Sequence, residues 1–123
     1  MEIGVDCIEI QRFQELENDL KVLSNIFTRD EIEYCKNKKN VCQHYASRFA
    51  GKEAVIKAMS PYGVRLVPKQ VEITNNLLGI PCVNLPDEYK ERFNVKISFS
   101  HSETLALAFV IAEKKGDSFS EVK

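Results

Sequence analysis

Three groups of residues in this chain are of types and spacings that could do chemistry. The first lies in Arg48-Phe-Ala-Gly-Lys-Glu-Ala-Val-Ile-Lys57. At helical spacing Ala46, Phe49, Ala50, Glu53 and Lys57 share one face, so a carboxylate and an ammonium sit on an otherwise apolar stripe. The bland account is an i,i+4 Glu–Lys pair at the edge of that stripe. Arg48 and Lys52 lie on the same segment, so it carries Arg48, Lys52 and Lys57 against the one acid Glu53. A basic face of that kind suits an anionic ligand or partner, although it would serve equally as a solvated face. The second group is Ser98-Phe-Ser-His101-Ser102, hydroxyls and an imidazole at the end of a strand, which can bind phosphate oxygens. The alternative is a polar strand edge with a turn histidine. The GxSxG elbow of a serine nucleophile is absent. The third is Asp6, an acid within the apolar strand Ile3-Gly-Val-Asp-Cys-Ile8. It could cap a turn, or it could join Glu53 in holding a hard cation such as magnesium.

These residues need elements to position them. Ile3, Val5 and Cys7 alternate, the pattern of a strand over residues 2–8. Phe13, Leu16, Leu20 and Leu23 are spaced as a helix stripe. Thr28-Arg-Asp-Glu31 fits a capping box that opens a short helix to about residue 36. A longer helix is expected from about His44 to Met59, ending before Pro61. Residues 71–74 and 82–85 read as strands joined by a hairpin-like connection. Pro86 could open a short helix to about Arg92. Val95, Ile97 and Phe99 alternate with polar residues along a further strand. Thr104–Ala112 is nearly all apolar and reads as a central strand buried on both faces. One strand, three helices and then a strand-rich half give an α+β class.

The chain has 123 residues, enough for a single domain spanning 1–123, with residues 115–123 expected to fray. Lys and Arg number 17 against 18 Asp and Glu, a net charge of −1, so a global pull on nucleic acid is not indicated. No apolar run reaches the length of a membrane span, and the N-terminus lacks a basic signal region. The four cysteines form no CxxC pair, which is poor zinc spacing and points to a reducing cytoplasm rather than a disulfide framework. A domain this small has little room for an enclosed cofactor pocket. A large ligand would bind at the surface or between subunits.

Taken in order, Ile3-Gly-Val-Asp6, Arg48–Lys57 and Ser98-Phe-Ser-His-Ser102 resemble the holo-acyl-carrier-protein synthases, the small 4′-phosphopantetheinyl transferases. Lesser matches are Arg12, Phe27-Thr-Arg-Asp-Glu31, Val71-Glu-Ile73 and Gly79-Ile-Pro81. The resemblance implies a 4′-phosphopantetheinyl transferase-like fold, with an N-terminal strand and helices followed by an antiparallel sheet. The implied reaction moves 4′-phosphopantetheine from coenzyme A to a serine of apo-acyl carrier protein and leaves adenosine 3′,5′-bisphosphate. By similarity Asp6 and Glu53 would hold Mg2+, and Lys57 would meet the pyrophosphate. The chemistry also needs a base for the serine proton, and Glu53, directly or through a metal-bound water, is the first candidate, a role that competes with its place as a metal ligand. His101, Ser98 and Ser100 would line the nucleotide pocket, while Arg12, with Arg29 and Arg48, would face the carrier protein. The family's small members are homotrimers with coenzyme A between neighbouring subunits. One departure is Met59-Ser-Pro-Tyr-Gly-Val-Arg-Leu-Val67, where many members have a glycine-rich turn and this chain has a single glycine. A different class of reading is a coenzyme A- or carrier-protein-binding module without turnover. It would need the pocket but not both carboxylates.

Overall fold

The computed structural model describes residues 1–116. Strand β1 runs Glu2–Glu9. A 3-10 turn over Ile10–Phe13 and helix α1, Leu20–Ile26, follow it. The helix stripe from Phe13 to Leu23 is thus broken into two pieces. Asn18-Asp19 interrupts it: Asp19 Oδ1 accepts the Val22 N–H at 3.2 Å and starts α1 only at Leu20. Phe13 and Leu23 are nevertheless both buried.

Helix α2, Arg29–Lys36, opens on the expected capping box. Thr28 Oγ1 accepts the Glu31 N–H, and Glu31 Oε1 accepts the Thr28 N–H at 2.9 Å. Helix α3, Val41–Met59, is the longest element and starts three residues before the expected His44. A second 3-10 turn, Ser60–Tyr62, continues it, and Gly63 then turns the chain with φ +78°. Strands β2, Glu72–Asn75, and β3, Pro81–Asn84, form a separate antiparallel hairpin. A short helix α4, Asp87–Lys90, leads to β4, Phe93–His101, and β5, Leu105–Lys114. The main sheet is antiparallel in the order β1-β5-β4. Of the tail expected to fray from residue 115, Lys115 is held by its N–H to the Arg92 carbonyl at 2.8 Å, and residues 117–123 lie outside the described residues.

Helix α3 lies across one face of this sheet. Its alanines at 46, 50, 54 and 58, all fully buried, meet Ala106, Ala108, Val110 and Ala112 of β5. Small side chains on both surfaces let the helix come close. Gly4 of β1 shows how close: a Cβ built there would fall 2.0 Å from the Ala54 carbonyl oxygen. Phe13, Phe27 and Tyr45 close one end of the core, with Phe27 and Tyr45 ring centroids 5.1 Å apart. The four cysteines are free, and burial pushes the Cys35 thiol up to about 12.

The opposite face of the sheet corrects one expectation. β5 is the central strand, but only one of its faces is buried. Leu105, Leu107 and Phe109 project outward, and Phe109 and Leu107 stand opposite Val5 and Cys7 of β1. Ile3 and Val5 are 63% and 51% exposed. A continuous apolar run was therefore a sign of two apolar faces, of which this chain covers one.

Candidate functional site

The close approach at Gly4 delivers Asp6, on the same side of β1, to the surface of α3. There Lys57 Nζ donates to Asp6 Oδ1 at 3.0 Å and to the Val5 carbonyl at 3.1 Å. Asp6 Oδ2 is buried and has no hydrogen-bond partner. An orphaned carboxylate oxygen is costly unless a ligand satisfies it. The Lys57 side chain is 55% exposed, and its ammonium keeps one further hydrogen for a ligand. Glu53 lies one helical turn before Lys57 on the same face, half-buried. The unsatisfied Asp6 oxygen suits a magnesium ion, which commonly takes one or two carboxylates and fills its remaining positions with phosphate oxygens and water; Glu53 is the other carboxylate on this face of α3. Among the described residues no cluster of three or more His, Cys, Asp and Glu occurs.

The second region lies at the far end of β4. His101 is exposed, and Gln43 Nε2 stands 3.5 Å from its Nδ1. A cavity of about 480 Å³ is lined there by Tyr34, Arg48, Asn75, Pro81, Ser98 and His101, among others. Asp6, Glu53 and Lys57 do not line it. Ser100 lines a different hollow, with Cys7, Leu105 and Leu107. His101 borders both, so it is the common wall between the two serines.

The expected basic face on α3 does not exist. Lys52 is fully buried and paired with Glu31 at 2.7 Å. Arg48, expected to face a carrier protein, is 3% exposed. Its Nη2 donates to Asn75 Oδ1, its guanidinium lies 4.0 Å from the centre of the Tyr34 ring, and its Nε is buried without a partner. These residues are drawn inward because α2 and the β2–β3 hairpin pack over that side of α3. Only Lys57, at the last turn, stays half in solvent. Burial first, then Arg48, Lys38 and His101, pulls the pKa of His44 below the ordinary histidine value.

The other two arginines are exposed but differently surrounded. Arg12 shares a shallow hollow with Glu9, Gln11 and Glu15, its guanidinium 5.9 Å from the Phe49 ring centre. Arg29 borders a groove with Leu20, Glu33, Lys36 and Lys69, in which Lys36 is paired with Glu33 at 3.3 Å and Lys69 adds a further cation. Sequence reasoning missed the cavity-lining roles of Tyr34, Arg48 and Asn75. The faint signal was Gly79-Ile-Pro81, which marks the hairpin turn beside them.

Comparison with known proteins shows the family and the fold. The model of the 4′-phosphopantetheinyl transferase superfamily matches residues 2–110. A holo-[acyl-carrier-protein] synthase of Geotalea daltonii is 39% identical over 121 residues, covering 90% of this chain and 96% of the relative. One from Caldicellulosiruptor bescii is 36% identical over 118 residues, covering 91% and 97%. Among solved structures, the Helicobacter pylori holo-[acyl-carrier-protein] synthase in complex with coenzyme A superposes with a TM-score of 0.77 at 28% identity, covering 90% of this chain and 99% of that one. The Bacillus anthracis synthase, also in complex with coenzyme A, gives 0.75 at 28% identity, covering 92% and 95%. The chain belongs to the 4′-phosphopantetheinyl transferase superfamily and, within it, to the holo-acyl-carrier-protein synthases.

Proposed function

We propose that this chain transfers 4′-phosphopantetheine from coenzyme A to a serine hydroxyl of apo-acyl carrier protein and releases adenosine 3′,5′-bisphosphate. The observation that carries the proposal is the buried, unsatisfied Asp6 Oδ2 beside Lys57, with Glu53 one helical turn before Lys57 on α3. In the reaction the serine oxygen bonds to the phosphorus that bears pantetheine. The bond from that phosphorus to the bridging oxygen breaks, and the electron pair leaves with the nucleotide. Glu53 accepts the serine proton. Lys57, using the hydrogen not spent on Asp6 and Val5, neutralises a pyrophosphate oxygen and orients it. Asp6 and Glu53 would hold Mg2+, which when bound supplies further neutralisation of the pyrophosphate charge.

The nucleotide would occupy the cavity of Arg48, Ser98 and His101, with Ser100 in the adjoining hollow on the other side of His101. That cavity lies apart from Asp6 in one chain, so the reading includes a homotrimer in which neighbouring subunits complete the site. The outward apolar face of β1 and β5 supports this, because Ile3, Val5, Leu107 and Phe109 form a contiguous patch of the kind that marks an interface. Arg12 and Arg29 remain the carrier-facing candidates, the second in the more basic surroundings. Among the described residues no helix is long and apolar enough to cross a membrane, and the proposed setting is the cytoplasm.

Incubating the protein with coenzyme A, Mg2+ and apo-carrier protein, then weighing the carrier, tests the proposal. A gain of one phosphopantetheinyl group is expected. Coenzyme A binding without mass gain on several carriers would leave the binding-module reading in its place.

A further inference from the structure

The β2–β3 hairpin is a two-stranded sheet outside the main one, and such a hairpin is marginally stable unaided. Side chains of α2 and α3 fasten it. Glu31 Oε2 accepts the Ile73 N–H at 2.8 Å. Lys52 Nζ donates to the Val71 carbonyl at 2.6 Å and to the Pro68 carbonyl at 3.0 Å, just before β2. Thr28 Oγ1 donates to Glu72 Oε2 at 2.7 Å. The tip is rigid in itself: Asn76 Oδ1 accepts the N–H groups of Leu78 and Ile80, and Asn75 Nδ2 donates to the Gly79 carbonyl. Strands β2 and β3 and their turn thus form one hydrogen-bonded unit, held at its base by the buried pair and nearer its tip by Arg48, which donates to Asn75 Oδ1. Gly79, Ile80 and Pro81 near that tip wall the 480 Å³ cavity, whereas neither Glu31 nor Lys52 lines it.

We infer that Glu31 and Lys52 are positioning residues for coenzyme A: their buried pair holds the base of the hairpin and so sets the wall of the nucleotide cavity. The inference rests on the reading that this cavity receives the nucleotide. It assigns the lysine of the Gly-Lys-Glu motif to ligand affinity through the backbone of β2, with no contact to the reacting atoms.

The test separates position from stability. The double variant Glu31→Leu/Lys52→Met removes both charges together, which a fold tolerates far better than removing one. It still lacks the bonds to Ile73, Val71 and Pro68. The KM for coenzyme A is expected to rise about tenfold, as for one lost contact of about 1.4 kcal/mol, with the KM for carrier protein unchanged. Glu72→Ala, made in parallel, leaves the buried pair and the capping box intact and cuts only the Thr28 tie. Its KM for coenzyme A is expected to rise about twofold, a few tenths of a kcal/mol, at wild-type thermal stability. Wild-type affinity for coenzyme A in Glu72→Ala and in a folded double variant overturns the inference. Calorimetry of coenzyme A on the wild-type protein is done first. Absence of binding there would defeat the functional reading itself, whereas normal wild-type binding with unshifted variants defeats the clamp alone.

Discussion

Two lysine–carboxylate pairs hang from the same helix, Lys52 with Glu31 and Lys57 with Asp6, and they are built for opposite ends. The Lys52 pair has no exposed side-chain surface, and every donor hydrogen on the lysine is used: Glu31, Pro68 and Val71 take one each. Burial nevertheless pulls the Lys52 pKa below the ordinary lysine value, with Glu31 opposing that pull. In the Lys57 pair the lysine is half in solvent and Asp6 mostly buried, and the pair leaves a carboxylate oxygen and an ammonium hydrogen unspent. A fully satisfied ion pair can only hold structure together. An unsatisfied one at a surface can take a substrate. The residue types do not tell them apart; the completeness of their hydrogen bonding does.

Methionine at each lysine is the direct way to break this contrast. Lys52→Met leaves Glu31 buried without its cation and should cost about 3–5 kcal/mol, read from urea unfolding. Lys57→Met should cost less, about 1–3 kcal/mol, because the lysine itself is half exposed although Asp6, left without its donor, is mostly buried. Its transfer rate should nevertheless fall by about a hundredfold, the scale of losing one preorganised group from a charged transition state. Equal stability losses for the two variants would erase the distinction. A smaller effect sharpens the picture at the other end of the Asp6 site. Gly4→Ala should cost about 1–3 kcal/mol, because its methyl meets the Ala54 carbonyl and forces β1 away from α3. Transfer by the folded fraction should drop with it, as Asp6 retreats from Lys57.

The smallest expected effect concerns His44, which lies beside the satisfied region. Its pKa is lowered in the fold, so below about pH 6.5 the unfolded chain takes up a proton that the folded chain resists. Stability should therefore decline as pH falls from about 6.5 through the lowered folded value. His44→Gln should flatten that slope in thermal unfolding measured across pH. A slope unchanged by the substitution would show that other groups carry it.

Much of the fold could be read locally. The Thr28–Glu31 capping box, the body of α3, the hairpin and the alternation of β4 are set by neighbours within a few residues, and each stands as the sequence indicated. The sequence paired Asp6 with Glu53 and not with Lys57, yet it is Lys57 that reaches Asp6 in the fold. What stayed hidden depends on contacts between distant segments. Nothing near Lys52 shows that Glu31 reaches it from α2, and nothing near Arg48 shows that Tyr34 and Asn75 enclose it. The break before α1 was missed because Phe13, Leu16, Leu20 and Leu23 keep a helical period across the Asp19 cap. The one-sided burial of β5 was missed because an apolar strand reads alike whether its second face meets a core or another subunit.

The central claim is that the unsatisfied Asp6 carboxylate does chemistry and does not hold the fold. Asp6→Ala therefore tests it most directly, with phosphopantetheinyl transfer to apo-carrier protein measured in Mg2+ alongside thermal unfolding of the same sample. The account predicts that transfer is lost while the unfolding temperature stays near that of the wild type. Near-normal transfer by a folded Asp6→Ala protein would contradict it.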